Sequence, residues 1–280
     1  MFTTTDDIKT AVRGRYGPFA AAGGVEEACC AAQAPADVSF AIDHGLYSDE
    51  QMAVVPDTAR KLSRGCGNPV SFADLAPGET VVDLGCGGGI DVVLAAHQVG
   101  PTGSVTGVDM TSEMIERASQ SVNEAGVSDY TSFVVADMTQ TGLPDASVDV
   151  VISNCVINLS PEKDAVYAEI FRILRPGGRL AISDIALSEP IDRELAARFQ
   201  ANWSGCMGGA IPEADYMAII TGAGLSEPTV IRRHRLRTGE LAEMSSCPGE
   251  KYATRPPAED LAAVEGTVVS VKFTATKPEG

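Results

Sequence analysis

Seven cysteines stand in a chain of 280 residues, and three of them share settings of small or polar neighbours. Cys66 lies in Arg64-Gly65-Cys66-Gly67-Asn68-Pro69 and Cys206 in Gly205-Cys206-Met207-Gly208-Gly209-Ala210. Cys155 lies in Ser153-Asn154-Cys155-Val156-Ile157-Asn158. Thiolates are the softest ligands a protein owns, so glycines beside a thiol suit close approach by a soft centre. The glycine-flanked, proline-terminated loop around Cys66 is expected to expose its side chain. Cys29 and Cys30 form an adjacent pair, Cys86 sits in a Gly-rich turn, and Cys247 precedes a proline. No pair has the C-x₂-C spacing of a zinc site, and the three histidines, His44, His97 and His234, form no cluster. An odd number of thiols also cannot pair completely within one chain.

The composition narrows what such thiols serve. With 21 basic and 38 acidic side chains the net charge is −17. That balance argues against a nucleic-acid backbone or an anionic membrane as partner, because both are held by lysine and arginine. The Arg232–Arg237 stretch is expected to be the solvated face of a strand. Residues Met1–Thr10 lack the basic and apolar regions of a signal peptide, and no apolar run reaches membrane-spanning length. A cytoplasmic, reducing location is therefore expected, where cysteines more often mean chemistry than permanent disulfides. No extended apolar interface is marked, so the expected state is a monomer.

From Thr80 the chain alternates β-branched runs with helical patterns. Strands are expected at Thr80–Leu84, Ser104–Val108, Thr131–Val135, Val148–Ile152 and Arg179–Ser183. Helices fall at Ile90–Gln98, from Thr111 (as cap) onward, and at Pro161–Leu174, the last ended by Arg175-Pro176-Gly177-Gly178. Such alternation implies an α/β fold, a doubly wound and mostly parallel sheet. Pro228–Arg237 and Gly266–Thr276 are read as added edge strands. Before the sheet come helices near Asp6–Arg15 and Asp49–Leu62, read as a cover over its open end. The expected division is 1–70 for this helical extension, 71–184 for a nucleotide-binding core, and 185–280 for an insertion at the substrate site plus the last strands. Trp203 lies in that insertion.

The loop Asp83-Leu84-Gly85-Cys86-Gly87-Gly88-Gly89 joins the first strand to the first helix. Its glycines let a ligand approach the backbone, and the helix N-terminus carries partial positive charge. Asp109 closes the second strand, where an acid accepts both ribose hydroxyls of a nucleoside. An acid ahead of the first glycine is awkward for a pyrophosphate and comfortable for a sulfonium and an ammonium. With Leu174-Arg175-Pro176-Gly177-Gly178, this loop resembles that of the class I methyltransferases, whose seven-stranded, Rossmann-like fold and S-adenosylmethionine cofactor the resemblance implies. It implies Asp109 on the ribose, Met110 against the adenine and Asp137 on the adenine amine, with Asp83, Gly85, Gly87 and Asn154 completing the cofactor site.

In such sheets the ligand lies beyond the carboxyl ends of the strands, so Cys155, after the fourth strand, falls beside the reactive methyl. Gly-Cys-Gly-Asn-Pro, Asp-Met-Thr after the second strand, Ser-Asn-Cys-Val-Ile-Asn-Leu and Cys-Met-Gly-Gly-Ala together resemble the arsenite methyltransferases, over residues 6–277. That resemblance implies Cys66, Cys155 and Cys206 as catalytic, arsenic-binding thiols, with one member of the Cys29–Cys30 pair, Cys30 the favoured one, as the additional N-terminal ligand. It also implies reduction of the methylated arsenic through a transient disulfide, reset by an external thiol such as glutathione or thioredoxin. The chemistry is coherent. A pyramidal arsenic(III) held by thiolates keeps a lone pair for in-line attack on a methyl group and needs no general base, so positioning provides most of the catalysis. Two alternatives stand beside it: a methyltransferase for a small organic acceptor, and a non-catalytic thiol-rich arsenic or metal binder.

Overall fold

The computed structural model describes residues 4–24, 46–201, 206–244 and 256–280. Valine-rich runs buried on both faces favour parallel pairing under helices. Accordingly β1 (Thr80–Leu84), β2 (Ser104–Asp109), β3 (Thr131–Val135), β4 (Val148–Asn154) and β5 (Leu174–Leu187) pair in parallel. The strand order of the seven-stranded sheet is β3-β2-β1-β4-β5-β7-β6, with β6 at Thr229–Arg235 and β7 at Val268–Thr276. Beneath the strands lie two apolar cores, one on each face. One is centred on the helix Ile90–Val99, the other on Tyr167, Ile170, Ile173 and Phe273.

β7 is not an edge strand. It runs antiparallel between β5 and β6, and β6 ends the sheet on that side. Its residues Val269, Val271 and Phe273 are buried, which is the burial an inner strand requires and an edge strand does not. The exposed face of β6, with Arg232, Arg233, His234 and Arg235 in solvent, matches the sequence reading.

Among the described residues the helices up to β3 are, in chain order, α1 (Thr5–Ala21), α2 (Asp49–Val54), α3 (Asp57–Leu62), α4 (Ile90–Val99) and α5 (Ser112–Glu124). The single helix expected over Asp49–Leu62 is two, because Pro56 lacks an N–H for the helical ladder and Val55 turns extended before it. α1 runs six residues beyond the expected Arg15, and its first turn is closed by a reciprocal Thr4–Asp7 capping box. Thr111 occupies the cap position of α5, yet its side chain caps nothing; Asp109 Oδ1 instead accepts the Thr111 N–H at 2.9 Å. α6 (Lys163–Ile173) starts two residues after Pro161, and β5 begins at Leu174, before the Pro-Gly-Gly expected to separate them. Pairing slips there, from Val148↔Leu174 to Val150↔Arg179.

Beyond β5 come α7 (Arg193–Gln200), α8 (Glu213–Gly222), α9 (Thr238–Met244) and α10 (Ala258–Ala263). α7 contributes Leu195 and Phe199, and the α9–α10 segment contributes Leu241 and Leu261, to a third core that contains Cys66 and Cys155. Among the described residues no helix is long and apolar enough to cross a membrane.

Candidate functional site

Between β1 and β4 the strand order changes direction, and the loops after both strands open into one cleft. Opening of a cleft at this crevice is the general consequence of such a reversal. Gly85 at φ +72° makes the first turn, and a Cβ there would meet Val156 at 2.4 Å, so the loops after β1 and β4 fit only with glycine. α1 covers the cleft: Lys9, Val12 and Tyr16 line it opposite the glycines. Asp83, Gly85, Gly87, Asp109, Met110, Asp137, Asn154 and Cys155 all line this same space.

Electrostatically the cleft is built for a cation. Burial holds Asp83 well above the ordinary carboxylate value, reinforced by the charges of Asp91 and Asp109. Burial likewise lifts Asp91 to about 6, and it raises Asp109. Three carboxyl groups crowded into one apolar wall cost free energy when ionised, and positive charge among them relieves that cost. The sulfonium and ammonium of S-adenosylmethionine fit this demand. Asp109 also shapes the loop, since its Oδ2 accepts the Gly87 N–H at 3.0 Å. Asp137 is not a solvated turn residue; it is half-buried, bonds Thr139 through Oδ1, and pairs with Lys9 at 2.9 Å. Lys9 bridges on to Glu162 at 2.6 Å, which ties α1 across the cleft mouth.

The thiols meet at the inner end of the cleft. Cys155 packs with Cys66 and Cys206 in the third core, and Cys206 Sγ donates to the Cys155 carbonyl at 3.5 Å. Cys155 sits at φ +63°, a left-handed conformation that side chains other than glycine seldom adopt and that functional sites retain. Cys66 is buried, at 1 % exposure, contrary to the expected exposed loop. Its glycines serve packing: a Cβ on Gly67 would stand 1.8 Å from Ser183 Oγ, and one on Gly65 would stand 2.4 Å from Asn154 Nδ2. Gly209 has the same role in the Cys206 loop, where a Cβ would fall 1.8 Å from the Asn158 carbonyl oxygen. Cys155 stands between the other two thiols, and among the described residues no three His, Cys, Asp or Glu side chains already surround a metal position.

Burial pushes the Cys155 thiol well above its ordinary value, and the neighbouring Cys206 and Cys66 thiols add to that rise. Burial raises Cys66 as well, partly offset by its hydrogen bond with Cys155. Cys155 and Cys66 therefore favour the neutral thiol, suited to a ligand that brings its own proton acceptors. Cys86, in the Gly-rich turn, is a packing residue buried against Gly107. Cys29, Cys30 and Cys247 lie outside the described residues, as does Trp203.

Several site residues had no motif to announce them. Asp91 is an acid inside the otherwise apolar start of α4, and that interruption was the available signal. Tyr47, whose hydroxyl donates to Asp91 Oδ1 at 3.1 Å, carried none. Beneath the thiols, Asp184 accepts from the Tyr216 hydroxyl at 2.9 Å and from the Asn158 N–H at 3.1 Å. Its carboxyl is lifted to about 6 by burial, and the Lys163 ammonium is brought down to about 8 by burial. Asn158 Nδ2 in turn reaches the Cys206 carbonyl at 3.3 Å, so this buried network supports the Cys206 loop.

Residues 75–224 match the family model described as a methyltransferase domain. The chain is 40 % identical over 232 residues to an arsenite methyltransferase of Halobacterium salinarum, covering 78 % of this chain and 57 % of that one. It is 37 % identical over 177 residues to an arsenite methyltransferase of Aquipseudomonas alcaligenes, covering 60 % of this chain and 49 % of that one. The chain thus spans about half the length of the curated relatives it matches. Among solved structures, an arsenic(III) S-adenosylmethionine methyltransferase of Chlamydomonas reinhardtii superposes with a TM-score of 0.66 at 29 % identity. That match covers 82 % of this chain and 72 % of the other.

Proposed function

The chain belongs to the methyltransferase-domain family, and from that membership we propose that it methylates arsenite, using S-adenosylmethionine and the thiols of Cys66, Cys155 and Cys206. The observation that carries this reading is the meeting of three thiols from three distant segments at one end of a cation-favouring cleft, with Cys155 belonging to both. When bound, S-adenosylmethionine supplies an electrophilic methyl group and leaves as a neutral thioether. Asp83, Gly85, Gly87, Asp109, Met110, Asp137 and Asn154 form the cofactor wall, and Asp91 joins them.

Arsenite exchanges its hydroxides for thiols. Each hydroxide leaves as water with the thiol's proton, so raised thiol values do not prevent binding and no free thiolate has to form first. Cys155, already in contact with both other thiols, is the pivot around which they close. The arsenic lone pair makes the new bond to carbon, and the arsenic is oxidised by two electrons. Two thiolates then return those electrons by forming a disulfide, which an external thiol such as glutathione or thioredoxin reduces. In this division of labour residues 1–70 provide the cover and the Cys66 loop, with Cys30 as a further ligand. Residues 71–184 hold the cofactor, and 185–280 bring Cys206 and the last strands. The protein acts as a monomer in the cytoplasm.

A small organic acceptor is the rival reading, but it gives no role to the three thiols gathered beside the cleft. Incubation with arsenite, S-adenosylmethionine and glutathione, followed by arsenic speciation, tests the proposal. Methylated arsenic in the wild type and none with Cys155→Ser is expected; arsenic left unmethylated by the wild type overturns it.

A further inference from the structure

Both glycines that flank Cys66 press on one side chain from another strand. A Cβ on Gly65 would stand 2.4 Å from Asn154 Nδ2. Across Cys66, Gly67 donates its N–H to Asn154 Oδ1 at 3.1 Å, and the Gly67 carbonyl accepts from Asn154 Nδ2 at 2.8 Å. The Cys66 loop is therefore gripped through its backbone by the residue that immediately precedes Cys155. The same Nδ2 also lies 2.9 Å from Asp91 Oδ2 and 3.1 Å from the Tyr47 hydroxyl, which itself donates to Asp91.

A carboxamide nitrogen carries two protons, and here it faces three acceptors. It cannot serve Gly67, Asp91 and Tyr47 fully at once, so the demand of Asp91 sets what is left for the loop. Asp91 is buried in the wall of the cofactor cleft. A cation entering that wall engages the Asp91 carboxylate and weakens its pull on Nδ2. The amide then commits to the Gly67 carbonyl and seats Cys66 against Cys155.

We propose that Asn154 is a positioning residue that links the two halves of the site, so that an occupied cofactor cleft favours arsenic(III) on Cys66 and Cys155, and bound arsenic(III) tightens the cleft in return. The inference rests on the functional reading above. Reciprocity is required, because a binding free energy shared between two sites has one value whichever ligand is added first.

The test uses S-adenosylhomocysteine, which keeps the ammonium and ribose but has no methyl group to transfer. Its Kd for the full chain is measured by calorimetry with and without saturating arsenite, and arsenite binding is measured separately. In the wild type, arsenite should tighten S-adenosylhomocysteine by about 5-fold or more, the lower end of ordinary coupling between sites. In Asn154→Ala the ratio should fall to about 1, whatever the change in each affinity taken singly. Asp91→Asn, which preserves size and removes the competing charge, should lower the ratio too and serves if Asn154→Ala folds poorly. A merely structural role would lower melting temperature and each affinity but leave the ratio unchanged. A wild-type ratio of 1, or an undiminished ratio in Asp91→Asn, overturns the proposal while leaving the functional reading intact. Absence of any arsenite binding to the wild type sinks both.

Discussion

The cofactor cleft and the thiol cluster meet at Cys155, yet they are built in opposite ways. The floor of the cleft comes from contiguous chain: β1, its Gly-rich turn, α4 and the acid ending β2 fall within residues 80–109, and α1, Asp137 and Asn154 complete the walls. The cluster comes from residues 66, 155 and 206, brought together by three different loops around a shared apolar core. One half is polar and rich in buried carboxyl groups; the other is apolar and closely packed. A site written in local turns tolerates changes elsewhere, whereas a site assembled by packing depends on every contact that seats its loops.

That contrast can be broken most forcefully at the thiols. Cys155→Ser removes the pivot, and methylarsenic formation should fall by at least about 100-fold, the usual cost of losing reactant positioning. Its affinity for S-adenosylhomocysteine without arsenite should stay within about twofold of wild type, since the cofactor wall keeps its acids. A comparable fall in that affinity would show that the halves are one unit. Gly67→Ala should have a smaller effect. Overpacking against Ser183 Oγ at 1.8 Å costs about 1–3 kcal/mol, visible as a lowered melting temperature with reduced arsenite affinity. An unchanged arsenite affinity would mean that this glycine does not seat Cys66.

The smallest effect is one of pH, and in the cofactor half it belongs to Asp91. Asp91 is lifted by burial to about 6 from an ordinary value of 3.8. Its folded form therefore prefers the proton: the associated stability is fully present below pH 3.8 and is lost as the pH rises through about 6. Between pH 7 and 5.5 the free protein should gain about 1 kcal/mol from this group, and Asp91→Asn should remove that share of the melting profile while leaving the share of Asp184, which burial also lifts to about 6. S-adenosylhomocysteine, whose ammonium favours the ionised carboxylate, should bind more weakly over the same window.

The same contrast explains what was readable in the sequence. Thr80–Leu84 and Thr131–Val135 match their strands to the residue, because β-branched runs bounded by glycine and turn residues decide the local geometry themselves. Asp83, Gly85, Gly87 and Asp109 were readable for the same reason: turn, helix start and acid lie close together along the chain. The three cysteines could be singled out by their neighbours, but not the purpose of those neighbours. Gly65 and Gly67 read as openings for a ligand and proved to be seats for Asn154 and Ser183. Nothing local marked Tyr47, 107 residues from the Asn154 amide it meets. Nor did any pattern show that β7, last in the chain, inserts between β5 and β6.

The central claim is that Cys66, Cys155 and Cys206 close around one arsenic atom beside the cofactor cleft. X-ray absorption at the arsenic edge, on the protein loaded with one equivalent of arsenite, reads that environment directly. The account predicts a shell of sulfur alone in the wild type, with oxygen entering the shell in Cys206→Ser. Arsenic that keeps its oxygen neighbours on the wild-type protein would contradict it.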